Sequence, residues 1–228
     1  HRASNRFREY GRKVSFNDTK TVWVLKGDIR KFFANIDHSI LINILKEDVK
    51  DNDIVWLLKN VINSFQTTGM SKVGLPLGNL TSQLLVNIYM NEFDQFMKRK
   101  VKAKYYVRYA DDFIVIHKDK LFLSALIPKI SEFLDMKLAL SLNENKLFIK
   151  TLASGVDFLG WINFPHHRIL RTATKRRMFH KLRKNQTDEM ITSYLGLLSH
   201  GNTYKLIQRI LKDIESNSKF VTEQNKSR

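Results

Sequence analysis

Two adjacent aspartates interrupt the most strand-like stretch of the chain. Residues 105–116 have the sequence Tyr-Tyr-Val-Arg-Tyr-Ala-Asp-Asp-Phe-Ile-Val-Ile, which places Asp111 and Asp112 between runs of aromatic and β-branched residues. Such residues favour strands, so the stretch predicts a strand, a tight turn that carries both acids, and a second strand. Carboxylates in a buried hairpin are destabilising unless a positive charge meets them, and a bound metal ion is the usual solution.

A third carboxylate stands at the end of an earlier apolar segment. Residues 21–29 alternate as a strand, with Val22, Val24 and Asp28 on one face. Two strands that each deliver acid at one end can build a site for two Mg²⁺ ions, which would hold the attacking and leaving oxygens of a nucleotidyl transfer. The alternative is a solvated turn, which is the commoner setting of paired aspartates in a basic protein.

The charge balance predicts a polyanionic partner. Lys and Arg number 39 against 22 acids, a net charge of +17 in 228 residues, and the cations cluster in residues 98–104 and 168–184. A ribosomal or architectural nucleic-acid binder has similar charge but no reason to place strand-end acids among the cations. The lack of cysteine excludes disulfides and suits an intracellular protein, and no apolar run is long enough to predict a transmembrane span.

Apolar periodicity predicts a mixed α+β chain. Helices are expected after caps at Asp37 and Asn52, from residue 79, and over residues 121–137, where Pro128 would kink or restart the helix. Short strands near residues 147–150 and 157–164 are expected to complete one sheet with the earlier strands. Beyond Pro165 the pattern indicates basic amphipathic helices, broken at Gly196 and Gly201, and residues 216–228 are expected to fray.

Five segments, in order, resemble the motifs of reverse transcriptases. Residues 109–112 resemble the catalytic box, residues 28–37 the preceding metal-binding motif, and residues 74–83 the loop that contacts template and nucleotide. Residues 141–146 and 156–161 resemble the two later palm motifs. The resemblance implies an α+β polymerase palm, with helices packed on one face of an antiparallel sheet, followed by a small helical thumb.

The resemblance also implies domain boundaries. Residues 1–20 would be a remnant of the fingers, residues 21–164 the palm, with finger helices at about 50–75, and residues 165–228 the thumb and a frayed tail. Only a basic helix is expected before Asp28, so the finger strands that bind the triphosphate in the family are expected to be missing from this chain. A maturase-like or endonuclease segment is not expected after the thumb.

Functional residues follow from the resemblance, position by position. Asp28 and Asp111 would bridge two Mg²⁺ ions, which Mn²⁺ can replace, with Asp112 as a weaker contributor and the Ile29 carbonyl completing one shell. Lys146 would be the general acid at the leaving pyrophosphate. The implied nucleotide-binding residues are Ile29, Arg30, Lys31, Phe32, Phe33, Leu77 and Gly78. The implied primer- and template-binding residues are Gln83, Tyr109, Phe158, Leu159, Gly160, Arg176, Arg177, Lys181 and Arg183.

The resemblance implies an RNA-directed DNA polymerase in the cytoplasm of a bacterium, or encoded by a phage. Its partners would be an RNA template, a DNA primer or cDNA, dNTPs and, optionally, a basic accessory protein, with no membrane. Phe33 stands where a bulky ring rejects the ribose 2′-hydroxyl. Leu77 replaces the more common Gln, and with Ser82 and Gln83 it resembles diversity-generating retroelement enzymes, which predicts error-prone copying. The alternatives are a group II intron-like or phage-defence reverse transcriptase, and a non-catalytic RNA-binding relative.

Overall fold

The protein forms two compact units that divide after Leu152. The computed structural model describes residues 2–65, 72–184 and 187–213. The sequence predicted a boundary after residue 164, whereas the structure assigns strands after residue 152 to the second unit. The frayed tail expected at residues 216–228 lies outside the described residues.

The first unit is built on a four-stranded antiparallel sheet with strand order β2-β3-β1-β4. Its strands are β1 (Trp23–Asp28), β2 (Tyr106–Tyr109), β3 (Asp112–His117) and β4 (Phe148–Thr151). Its helices are α1 (Arg2–Val14), α2 (His38–Asp48), α3 (Asn52–Asn63), α4 (Leu80–Gln95) and α5 (Lys120–Leu138). The hairpin predicted around the paired aspartates is confirmed as β2 and β3, but its turn carries Asp111 alone, because Asp112 is the first residue of β3 and pairs with Tyr109.

Capping side chains set the starts of the helices. Asp37 accepts a hydrogen bond from the Ile40 amide and begins α2, as predicted. For α3 the cap is Asp51, which accepts from two amides of the first turn, so the prediction of Asn52 was wrong by one residue. Pro128 lies inside α5, which continues from Lys120 to Leu138 and therefore does not restart there.

Aromatic packing joins α4 and α5 to one face of the sheet. Phe93 of α4 is fully buried, and its ring lies 5.2 Å from that of Phe113 in β3. The Tyr89 hydroxyl donates a 2.6 Å hydrogen bond to the Leu138 carbonyl, which ties α4 to the end of α5. Helix α1 contacts β2 and β3. Val24 and Ile114, whose side chains point to the opposite face, are also buried, so the sheet is covered on both faces.

The second unit has its own sheet. Strands β5 (Val156–Phe158), β6 (Trp161–Asn163) and β7 (Arg168–Leu170) pair antiparallel in that order. Leu159 and Gly160 both have positive φ, 53° and 82°, as a two-residue hairpin turn requires, so β5 folds back onto β6. The prediction that residues 157–164 complete the first sheet was therefore wrong, and β7 lies where helix was expected.

Helices complete the second unit around a small core. They are α6 (Thr172–Lys184), α7 (Asp188–Leu198) and a helical stretch at residues 204–213. Trp161, Met178 and Leu198 are among its buried side chains. Gly196 lies inside α7 and is not a break, in contrast to the prediction, whereas Gly201 follows that helix. No helix among the described residues is both long and apolar enough to cross a membrane.

Gly27 is required by the packing of β1 on β3. A Cβ at this position would lie 2.6 Å from Cε1 of Phe113, and closer still to Cζ of that ring. We expect Gly27→Ala to lower the free energy of unfolding by about 1–3 kcal/mol, because the fully packed ring cannot withdraw without strain. Urea titration followed by circular dichroism measures this effect.

The control for this prediction is Gly196→Ala, because among the described residues no atom outside the helix's own backbone lies within 4 Å of a Cβ at that position inside α7. It should stabilise the second unit by about 0.5–1 kcal/mol. In a Phe113→Leu background the alanine at position 27 should be better tolerated. Equal effects of Gly27→Ala in both backgrounds would show that the ring is not the cause.

Candidate active site

Strand pairing brings the three predicted aspartates to one end of the first sheet. Asp28 and Asp112 are direct partners across β1 and β3, and they point to the same face because opposed residues of antiparallel strands do so. Asp111 lies in the turn before β3, and its carbonyl accepts a 3.3 Å hydrogen bond from the Ile29 amide. The sequence predicted the three carboxylates, and the register places them together.

A lysine missed by the sequence analysis lies beneath this cluster. Lys26 sits two residues before Asp28 on the same face of β1, and only 7% of it is exposed. Its Nζ lies 3.2 Å from Oδ1 of Asp112. A lysine inside an apolar strand is destabilising without a counter-charge. The position of Lys26 within such a strand could therefore have indicated that an acidic partner lies nearby.

A segment after α5 holds Asp28 from the other side. Lys146 Nζ lies 2.8 Å from Oδ2 of Asp28, and the Asn143 side chain donates to Oδ1 at 3.1 Å. The Asn143 amide also donates to the Asp28 carbonyl at 2.8 Å. The sequence singled out Lys146 but not Asn143, because a lone asparagine in a turn carries no distinguishing signal.

Arg108 supports the turn that carries Asp111. Its guanidinium donates two hydrogen bonds to the Asp94 carboxylate, at 2.9 and 2.7 Å, and a third to the Ala110 carbonyl at 3.0 Å. The Tyr106 hydroxyl also donates to Asp94 at 2.7 Å. Ala110 has φ +53°, a strained conformation for a residue with a side chain, and this network holds it in place. Sequence reasoning missed both Asp94 and Arg108, since their pairing spans α4 and β2.

Burial and nearby charges shift the pKa values of Asp111, Asp112 and Lys146. Burial raises the pKa of Asp111, and the nearby Asp28 charge raises it further. Burial also raises the pKa of Asp112, despite the opposing effect of Lys26. The hydrogen bond to Asp28 raises the pKa of Lys146. The carboxylates therefore lie in a site that favours additional positive charge.

The donor set suits a hard divalent cation. Carboxylate and carbonyl oxygens are the ligands that Mg²⁺ prefers. Among the described residues, however, no group of three or more His, Cys, Asp or Glu side chains is arranged to hold a metal ion as it stands. Instead, the ammonium groups of Lys26 and Lys146 lie 3.2 Å and 2.8 Å from carboxylate oxygens of Asp112 and Asp28, respectively. The oxygen ligands present are of the type that Mg²⁺ binds, and binding would require the two lysines to move away from the carboxylates.

The predicted nucleotide-binding residues fall on two segments that dock together. The Leu75 amide donates to the Phe33 carbonyl at 2.7 Å, and buried His38 contacts the Gly74 carbonyl through Nε2 at 2.8 Å. Phe33 is half-buried, whereas Phe32 is only 3% exposed and packs in the core, so its ring is not available to a ligand. The exposed members are Arg30, Lys31, Leu77 and Gly78.

The predicted primer- and template-binding residues divide between the two units. Gln83 and Tyr109 are exposed in the first unit. In the second unit Phe158 is fully buried, so its ring is not accessible to a primer, and the turn at Leu159 and Gly160 could contact one through its backbone. The four cations predicted on α6 are all exposed: Arg176, Arg177, Lys181 and Arg183.

Most of the chain matches one protein family. A family model described as Reverse transcriptase (RNA-dependent DNA polymerase) matches residues 2–163. Protein YkfC of Escherichia coli is 27% identical over 194 residues, covering 69% of this chain and 49% of that protein. Group II intron-encoded protein LtrA of Lactococcus lactis subsp. cremoris is 28% identical over 137 residues, covering 57% and 23%. The chain spans less than half the length of each of these two relatives.

A solved structure shares the fold. The telomerase from Candida albicans, determined in complex with the TWJ fragment of telomeric RNA, superimposes with a TM-score of 0.60. The match covers 96% of this chain and 44% of that chain at 10% identity. At this identity the likeness shows the palm-type fold alone, which agrees with the α+β palm predicted from the motifs.

Neutralising Asp111 and neutralising Asp94 should have opposite effects on the free energy of unfolding. Because burial raises the pKa of Asp111, its ionisation opposes folding at neutral pH. We expect Asp111→Asn to raise the free energy of unfolding at pH 7 in EDTA. The gain should shrink as pH falls through the raised pKa and vanish below the ordinary value of 3.8. Urea titrations across this pH range measure it.

The matched variant is Asp94→Asn. It leaves the Arg108 guanidinium, whose side chain is 8% exposed, without its carboxylate. We expect it to lower stability by about 3–5 kcal/mol, as removal of one partner of a buried ion pair does. A loss of stability at pH 7 in Asp111→Asn would contradict the electrostatic strain assigned to the turn.

Proposed function

The chain belongs to the reverse transcriptase family, and from that premise we propose that it is an RNA-directed DNA polymerase whose active site is the cluster of Asp28, Asp111 and Asp112. The observation that carries the proposal is the opposition of Asp28 and Asp112 across two central strands, with Asp111 in the adjoining turn. A scaffold that only bound RNA would gain nothing from like charges buried side by side. Its partners would be an RNA template, a DNA primer and dNTPs.

The proposed reaction joins one nucleotide to the primer. The primer 3′-hydroxyl releases its proton to solvent as its oxygen attacks the α-phosphorus of a dNTP, and the bond to pyrophosphate breaks. Asp28, Asp111 and the Ile29 carbonyl would hold two Mg²⁺ ions, or Mn²⁺, which when bound neutralise charge on the reacting phosphate oxygens. Asp112 would contribute less, because its Oδ1 atom lies 3.2 Å from the Lys26 ammonium, which already offsets part of its charge.

Lys146 is the proposed proton donor to the leaving pyrophosphate. Its contact with Asp28 raises the pKa, so the side chain is an ammonium at neutral pH. More than half of the side chain is exposed, which leaves it able to turn towards a bound triphosphate. An ammonium at this point can donate a proton to the departing oxygen and balance its charge.

The segment after Asp28 would bind the nucleotide. Arg30 and Lys31 are exposed cations suited to phosphate oxygens, and Lys31 has φ +44°, which turns the chain sharply into the 3₁₀ turn Phe32–Asn35. Phe33 would occupy the space of a 2′-hydroxyl and so favour deoxynucleotides. In the second unit, the exposed cations of α6 would contact duplex phosphates without reading sequence.

Removing the carboxylates should abolish DNA synthesis without weakening RNA binding. We expect the double variant Asp28→Ala/Asp111→Ala to abolish primer extension on an RNA template, and wild type to extend with dNTPs but not rNTPs. Removing both charges should leave RNA affinity unchanged or higher, because the site then repels phosphate less. Gel-resolved extension and filter binding measure the two properties.

The control for this pair is Lys118→Ala, an exposed residue outside the cluster, which should keep both properties. Extension by the double variant at the wild-type rate would refute this active site. Wild-type RNA binding without any extension would favour the non-catalytic relative.

We also propose that copying is error-prone, as in diversity-generating retroelements, with a group II intron-like enzyme as the rival. The supporting observation is Leu77, which is 77% exposed on the loop docked against Phe33. An aliphatic side chain there cannot hydrogen-bond the nucleotide or template base as an amide can. The relative named as group II intron-encoded favours the rival.

Substitution of Leu77 should discriminate these two types. We expect wild type to misincorporate most often opposite template adenine, and Leu77→Gln to lower that error rate by about tenfold, since one hydrogen bond contributes about 1 kcal/mol or more to discrimination. Sequencing of cDNA from a template with all four bases measures it. Leu77→Met is the control, because it adds no amide. Faithful copying by wild type would refute the error-prone type and leave the polymerase standing.

A further inference from the structure

A basic cleft lies between α1 and the β2 edge of the first sheet. Its volume is about 900 Å³, and α1, the end of α4 with its following turn, and β2 line it. Five exposed cations face it: Arg2, Arg6, Lys98, Lys102 and Lys104. None of the three active-site aspartates lines this cleft.

The acids of this cleft are already neutralised. Asp94 is bound by Arg108 at 2.7 Å, and Glu9 by Lys13 at 2.6 Å. Within the described part of the chain, none of the five cations forms an ion pair, although the charge of Arg6 also acts on Glu9. The lining therefore keeps a surplus of positive charge that the described residues do not balance, in a concave space large enough for several phosphate groups.

The backbone at the cleft departs from regular geometry. Residues Phe96–Lys100 form a π-helical turn at the end of α4, and Lys102 follows with φ +57°. Such turns and left-handed residues with side chains are unfavourable and are enriched at functional sites. Lys98 lies in the π-helical turn, Lys102 is the left-handed residue, and Lys104 follows two residues later; all three line the cleft.

We propose that this cleft binds the phosphodiester backbone of an RNA segment at a site separate from the polymerase centre. The concave shape does not match a flat membrane surface, and exposed Lys and Arg side chains suit repeated phosphates. Tyr10 lines the cleft with Arg6 near its ring, an aromatic and cation pairing that suits unstacked RNA bases. The inference goes beyond polymerisation, because the bound segment need not be the strand that is copied.

Charge reversal in the cleft tests the proposal. The cleft variant is Arg6→Glu/Lys98→Glu/Lys104→Glu in the full chain. The matched control is Lys118→Glu/Lys129→Glu/Lys137→Glu, with the same change in net charge on exposed residues outside the cleft. The probe is a short labelled RNA hairpin, and its affinity is measured between about 50 and 200 mM salt without primer or nucleotides.

We expect the cleft variant to bind at least about tenfold more weakly than the control variant, with a dependence of log affinity on log salt shallower by about two to three. Equal losses in the two variants would overturn the proposal, because net charge alone would then explain binding. Polyglutamate or tripolyphosphate that displaces the hairpin as well as unlabelled hairpin does would also overturn it, in favour of an acidic protein or a free polyphosphate. The Asp28→Ala/Asp111→Ala variant should bind the hairpin at least as tightly as wild type does, so hairpin binding does not depend on polymerase activity.

Discussion

The first unit is organised around carboxylates that repel one another at the end of a buried sheet. Asp28 and Asp112 face each other across β1 and β3, and Asp111 adjoins them. Their proximity and burial oppose folding, and the structure offsets this with Lys26 beneath Asp112 and Lys146 beside Asp28. Each lysine balances a charge that a bound cation would also balance, so the lysine contacts mark where the proposed active site would receive positive charge.

The rest of this unit holds the acids in register. The ring of Phe113 covers Gly27 and locks β3 against β1 one residue from the acids, so a shift in pairing would displace both carboxylates. The Asp94 and Arg108 pair reaches from α4 to the Ala110 carbonyl and fixes the strained turn. The packing and hydrogen bonds around the acids thus stabilise a cluster that is itself unfavourable, an arrangement common at active sites.

The positive charge of the chain is divided among surfaces with different surroundings. Cations beside the carboxylates are paired with them, those along α6 are exposed on the second unit, and the five of the α1 cleft form no ion pair among the described residues. Net charge predicts a nucleic-acid partner, but it cannot distinguish a lysine that neutralises a buried acid from one that meets phosphate. That distinction depends on distances between residues far apart in the chain.

The sequence by itself determined the chemistry of the site and its local elements. The acids, the hairpin between them, the cap of α2 and the family motifs are local patterns, because turn chemistry and strand alternation act over a few residues. The tertiary structure decided the partners: Lys26, Asn143, Asp94 and Arg108 matter through contacts across strands and helices that no local pattern encodes. It also decided that β5 to β7 form a separate sheet, since strands of three residues carry too little pattern to reveal their partners, and only the turn at Leu159 and Gly160 and the core around Trp161 select the pairing.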